Sequence, residues 1–214
     1  MFQEDKISLK QDIAFALAVA AAGFKLTNSK SVQTDDGACW QATLVHGRAM
    51  IVTVSNGGYG GPDECQFHAT TDAAKAAAKA SLEKLFAVPD VLLAVRGYLV
   101  SGLNLERQFE GLSEADYEAK KAEIFATVPT PTNDNVEFLV SRIADIDGAV
   151  ASFKRAMKTK LLVVFEGDDE KGQYMTYKLP DTPESRARVK EHVKRKIDYF
   201  IADLFGAANQ PTGA

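Results

Sequence analysis

The spacing of apolar positions along this chain changes several times, and each change marks an element. Leu9, Ile13, Leu17 and Ala20 recur at spacings of three and four, predicting a helix through the apolar run IAFALAVAAAG at 13–23. From Phe24 the period falls to two. Phe24 to Gln33 predicts a strand entering the turn TDDG, a composition suited to a tight reversal. Ala38, Trp40, Ala42 and Leu44 then alternate with Cys39, Gln41 and Thr43, as in a half-buried strand. Gly47-Arg48 is a two-residue hairpin turn with glycine first, and RAMIVTVS returns antiparallel. Glu64 to Ala69 predicts one more strand, completing an antiparallel β-meander.

Helical spacing returns after Thr71, a predicted cap for a helix with Ala74, Ala77, Ala78, Leu82, Leu85 and Phe86 on one face. Pro89 is expected to end it and Asp90 to cap the next helix, through VLLAVRGYLVSGL. Ser113 and Asp116 resemble a capping box for a helix to about Val128. Residues 129–135, PTPTNDN, cannot continue a helix and are either an inter-helix loop or a subdomain boundary. Leu139, Ile143, Ile146, Val150, Phe153 and Met157 then form a heptad seam, read as internal packing with a homodimer through 139–157 as the alternative.

KLLVVF at 160–165 and QYMTYKL at 173–179 predict a second hairpin around EGDDEKG, a solvated acidic turn without the alternating ligands of a calcium loop. Thr182-Pro183-Glu184 starts a long final helix with Val189, Val193, Ile197, Phe200, Ile201 and Leu204 as its apolar stripe. The expected class is α+β: an N-terminal helix, an antiparallel β-meander, central helices, a late β-hairpin and a long C-terminal helix. Residues 1–128 form one α+β domain, 136–206 a helix–hairpin–helix segment packed on it, and 207–214 a frayed tail.

Composition narrows the setting. The chain is 46% apolar and 25% charged with a net charge of −4, values of an ordinary globular protein with no general affinity for nucleic acid. Acids outnumber bases ahead of the run at 13–23, unlike a secretory signal, and Val91–Leu103 is too short to span a bilayer and contains Arg96. Two cysteines, Cys39 and Cys65, fit a reducing compartment as small buried hydrophobes. The chain therefore reads as cytoplasmic.

Candidate chemistry is sparse. VSNGGYGGPDEC at 54–65 has four glycines but no Lys-Ser or Lys-Thr after them, no third glycine in G-x-G-x-x-G spacing, and two acids where an anion would sit. A structural turn presenting Tyr59 to a partner fits it better. Cys39-Trp40 lies in an alternating strand rather than at the helix start a thiol nucleophile needs, and no histidine matches papain-type spacing. Cys39, His46, Cys65 and His68 share the meander, but each pair differs in strand parity, which points its members to opposite faces. No metal, cofactor or catalytic residue is expected. Arg186, Lys190 and Lys194 share one face of the predicted last helix and offer a line of positive charge to phosphates.

Two windows together carry a resemblance: the strand into Ser55-Asn56-Gly57-Gly58-Tyr59-Gly60-Gly61, and the hairpin into Leu179-Pro180-Asp181-Thr182-Pro183-Glu184. They resemble uncharacterised accessory proteins of tailed bacteriophages. The resemblance implies an intracellular protein acting in the infected host, in a class that includes inhibitors acting by direct binding. The leading expectation is a non-enzymatic protein-binding factor of that kind. Its candidate contact residues are Asn56, Gly57, Gly58, Tyr59, Gly60 and Gly61, with Arg186, Lys190 and Lys194. The alternatives are a nucleotide-like small-molecule site near 55–68, and nucleic-acid binding through the basic final helix.

Overall fold

The computed structural model describes residues 8–34, 37–58 and 64–207. Helices and two antiparallel sheets make it α+β, as expected, and they fall into two units. A meander unit spans Ala18–Asp145, and a terminal unit joins Met1–Leu17 to Ile146–Ala214. Helices α1 (Leu9–Ala21) and α5 (Asn133–Ala156) contribute residues to both.

In the meander unit β1 (Phe24–Thr34), β2 (Gly37–His46), β3 (Ala49–Gly57) and β4 (Glu64–Phe67) pair in chain order, each antiparallel to the last. Gly47-Arg48 turns β2 into β3, and the positive φ of 60° falls on the glycine, where no Cβ opposes it. Alternation puts Ala42, Leu44, Val52 and Val54 on one face, all buried. The other face carries a polar row. Thr43 and Thr53 lie directly opposite and share a hydroxyl hydrogen bond of 2.8 Å, and Thr53 Oγ1 meets His68 Nε2 at 2.7 Å. Thr43 is 2% exposed, so this bond offsets the desolvation of a buried hydroxyl.

Strand β1 contains one residue more than its partner. Thr27 lies opposite Thr43 and Lys30 opposite Gln41, so three steps on β1 match two on β2. Asn28 absorbs the bulge at φ 55°, a left-handed conformation that asparagine tolerates better than most side chains.

Thr71 caps α2 (Asp72–Phe86) as predicted, accepting from Ala74 N at 3.2 Å, and Ala78, Leu82, Leu85 and Phe86 are its buried residues. The next corner differs from expectation. Helix α2 stops at Phe86, Val88 is the N-cap of α3 (Pro89–Glu110), and Pro89 opens that helix rather than closing the previous one. The proline holds Val88 extended, and at the first helical position its missing N–H leaves nothing unpaired. The chain bends by 89° there, and no single helix among the described residues is long and apolar enough to cross a membrane. Ser113 caps α4 (Glu114–Ala126). Residues 127–132 connect α4 to α5 inside the meander unit. The α5 seam residues Leu139, Ile143, Ile146, Val150 and Phe153 are all buried within the chain. Those five side chains therefore pack internally, the first of the two readings of the seam, and Met157 beyond the helix is half-buried.

The terminal unit is built on β5 (Leu161–Phe165), flanked by β6 (Met175–Tyr177) and β7 (Ile197–Phe200). All five β5 residues are buried. Leu162 and Val164 face Leu9, Ile13, Phe153 and Ile201, while Leu161, Val163 and Phe165 face Val189 and Phe200. A central strand covered on both faces reads as a continuous apolar run, as LLVVF does.

The long final helix is broken in the structure. It consists of α6 (Pro183–His192), strand β7 and α7 (Ile201–Ala207). Strand β7 supplies β5 with its second edge partner, pairing Phe200 with Val163 and Tyr199 with Val164. Three consecutive cations before β7 would also repel one another on a helix, and two of them find acids instead. Arg195 reaches Asp168 at 2.7 Å and Lys196 reaches Glu166 at 2.5 Å.

The acidic turn is likewise tied into the unit rather than solvated throughout. Asp168 is buried, and Asp169 accepts from the backbone N of Lys10 at 3.0 Å and from Tyr199 Oη at 2.5 Å. Asp169 thus satisfies an N–H in the first turn of α1 that no helical carbonyl can reach. Burial and the adjacent Asp169 push the Tyr199 phenol above its ordinary range, so it remains a donor. The hydrogen bond from Arg195 holds the Asp168 carboxyl below the usual carboxylate range, against an opposing effect of burial. A depressed carboxyl stabilises the fold above its unfolded value of about 4, and that contribution disappears as pH falls through the lower folded value. Urea midpoints followed by circular dichroism should therefore drop more steeply below about pH 4 in the wild type than in Asp168→Asn. Parallel curves would remove Asp168 from the acid response.

Candidate functional site

The glycine stretch begins as sheet. Asn56 and Gly57 are the last residues of β3, opposite Trp40 and Cys39 of β2. Gly58 takes φ 77°, and its N–H donates to Asn56 Oδ1 at 2.7 Å, closing a local side-chain turn. Asn56, Gly57 and Gly58 thus have structural roles where the chain leaves the sheet. Tyr59, Gly60 and Gly61 lie outside the described residues.

The basic face predicted on the last helix is not assembled. Helix α6 ends at His192, so Lys194 lies beyond it and shares no helical face with Arg186 and Lys190. Arg186 is engaged: Nε and Nη2 donate to Asp181 at 2.5 and 2.8 Å, Nη1 donates to Asp203 at 2.7 Å, and its guanidinium lies 4.6 Å from the Phe200 ring centre. Lys190 Nζ lies 5.7 Å from the same ring. Lys194 is exposed.

Cys39 and Cys65 form no disulfide and are half-buried, more exposed than expected, and Cys65 Sγ lies 3.7 Å from the Asn133 carbonyl oxygen. The His46 ring stacks on Phe24 at 4.3 Å, and His68 is held by Thr53. Among the described residues no three His, Cys, Asp or Glu side chains are grouped to hold a metal ion.

The surface with the clearest unmet requirement is the α3–α4 hairpin. Val91, Ala94 and Val95 are buried at the start of α3, and Tyr98 stacks on Phe138 of α5 at 4.3 Å. The same helical stripe continues through Gly102, Leu105 and Phe109, at steps of four, three and four from Tyr98. Beyond Tyr98 it is uncovered: Leu105 is 47% and Phe109 73% exposed.

Polar contacts on another side hold the hairpin together. Tyr117 Oη donates to Asn104 Oδ1 at 2.8 Å, and Arg107–Glu114 and Lys120–Glu106 are ion pairs. Arg96, the cation inside the apolar run, donates to the carbonyls of Ile124, Phe125 and Thr127 at 3.1, 2.6 and 2.9 Å. It thereby satisfies orphan carbonyls at the C-terminus of α4 and complements the helix dipole. A groove of about 490 Å³ runs between α3 and α4, lined in part by Leu99, Gly102, Leu103 and Ile124. Residues 89–126 carry seven acids against four bases.

The chain matches no protein-family model, no curated protein and no solved structure.

Sequence reasoning passed over this surface by ending the apolar α3 run at Leu103. Extending the same spacing to Leu105 and Phe109 would have found the stripe, although not that it is uncovered.

Proposed function

We infer that the protein is a non-enzymatic binding factor whose α3–α4 surface receives an amphipathic, basic helix of another protein. The observation that carries this is the α3 stripe, covered as far as Tyr98 and open at Leu105 and Phe109. Apolar side chains at steps of three and four are the form in which one helix receives another. The acid excess of the hairpin favours a basic partner and disfavours a second copy of itself. The resemblance to accessory proteins of tailed phages sets the expected partner in the infected host or its defence machinery, and occupation of its helix would inhibit it.

Two labelled amphipathic peptides of equal length, one leucine–lysine and one leucine–glutamate, test the surface directly by fluorescence anisotropy. The lysine peptide should bind the wild type at least about tenfold more tightly than the glutamate peptide. It should lose at least about tenfold on Leu105→Asp with Phe109→Asp, because buried apolar anchors dominate such interfaces. Equal binding of the lysine peptide by the wild type and this variant overturns the proposal. So does a concentration-dependent homodimer that the same variant abolishes, since the face would then belong to self-association.

A further inference from the structure

A second feature, independent of the α3–α4 surface, lies where β1 bulges. The bulge spans Asn28 and Ser29, between the Thr27–Thr43 and Lys30–Gln41 pairs, and so falls opposite Ala42. An extra residue bends a strand away from its partner, and alanine fills little of the space that opens. On the α5 side the result is a cleft of about 430 Å³, within the usual range of small-molecule sites. Its walls follow from register and helical spacing. Trp40 and Ala42 share a sheet face, and Ser31 lies directly opposite Trp40. Ser141, Ala144 and Asp145 of α5 fall at steps of three and one, on the helix face that lines the cleft. Lys30 and Gln41 also border it, but alternation directs their side chains to the opposite sheet face.

The polar inventory is one-sided. Asp145 is an exposed carboxylate that forms no ion pair or hydrogen bond with the described residues, and the half-buried Trp40 indole has no ring or hydrogen-bond partner there. The hydroxyls of Ser31 and Ser141 are equally unengaged. Among the described residues the cation bordering the cleft is Lys30, whose side chain alternation directs to the other sheet face, so none is presented to a phosphate, and Asp145 repels one. An indole face attracts a cation, and a carboxylate forms charge-assisted hydrogen bonds with an ammonium or guanidinium group.

We propose that this cleft binds a small organic cation carrying an ammonium or guanidinium group, held between the Trp40 ring and the Asp145 carboxylate with Ser31 and Ser141 as secondary hydrogen-bond partners.

Trp40 is the single tryptophan of the chain and therefore reports on its own site. Agmatine serves as the probe, with its uncharged acetylated-amine and urea analogue and inorganic phosphate as controls. Agmatine should change the Trp40 emission saturably, and neither control should. Asp145→Asn should weaken agmatine by at least about tenfold while Asp145→Glu retains most of the affinity, the loss matching one charge-assisted hydrogen bond. Asp145 is exposed and unpaired, so the variants are expected to fold, which circular dichroism checks. No saturable change with agmatine, equal affinity in Asp145→Asn, or a stronger response to phosphate would each overturn the proposal.

Discussion

Arg186→Ala is expected to lower stability by about 2–3 kcal/mol, although sequence alone presents Arg186 as a surface cation for a partner. Its side chain is 28% exposed, and its principal acceptor Asp181 only 17%. The guanidinium engages Asp181 through two parallel bonds and lies against the Phe200 ring, itself part of the apolar layer with Val163 and Val189. The Asp181 bond, ahead of the contribution from Asp203, raises its affinity for the proton above that of an ordinary arginine. Truncation strands the Asp181 carboxylate in a partly desolvated position and uncovers one face of Phe200. The Asp203 bond adds little, because that carboxylate is half-exposed and screened by solvent. Arg186→Lys should recover only part of the loss, since an ammonium cannot make the paired contact. Urea unfolding decides the matter. A change within about 0.5 kcal/mol would return Arg186 to the class of ordinary surface positions.

The segment that follows Arg186 differs from its expected single helix for a reason of pairing. Val189, Val193, Ile197, Phe200, Ile201 and Leu204 are spaced for a helix, and the actual helix–strand–helix arrangement satisfies the same spacing. What separates them is β5, more than thirty residues earlier, which needs a backbone partner on each edge. Helical periodicity is a local signal, whereas strand pairing depends on a segment distant in sequence. The meander had no such ambiguity. Its strands are consecutive, its turn chemistry at Gly47 is local, and its alternation is interrupted chiefly by bulges.

The bulge at Asn28 was hidden for a related reason. Asn28-Ser29 suits a turn as well as a bulge, and only the fixed register on either side shows that an extra residue must be accommodated within one strand. The cleft opposite Ala42 depends on that register and on α5 lying near it, so composition could not reveal it. The glycine stretch had the opposite history. Its composition suggests a site, yet the described part forms a strand end and a side-chain turn. Glycine count records where backbone freedom is needed, and a ligand is only one reason for that need.

Leu162→Asp is expected to have the largest effect of any substitution considered, leaving the terminal unit unable to fold. Leu162 is 2% exposed on the central strand and lies among Leu9, Ile13, Phe153, Val164 and Ile201. Leu162→Ala should cost about 2–5 kcal/mol through lost burial and the cavity left behind. Aspartate adds the desolvation of a charge. The side chain must remain ionised without a partner, take up a proton, or pull the strand toward water. Any of these adds several kcal/mol to the cavity term, against a typical total stability of only about 5–15 kcal/mol. Strand β5 has neighbours on both edges and apolar layers on both faces, so no displacement within the unit brings position 162 to solvent while keeping its pairing. Far-UV circular dichroism should show a large loss of signal for Leu162→Asp and a folded spectrum with a lower urea midpoint for Leu162→Ala. A native-like spectrum and midpoint for the aspartate variant would mean that β5 is not the centre of this core.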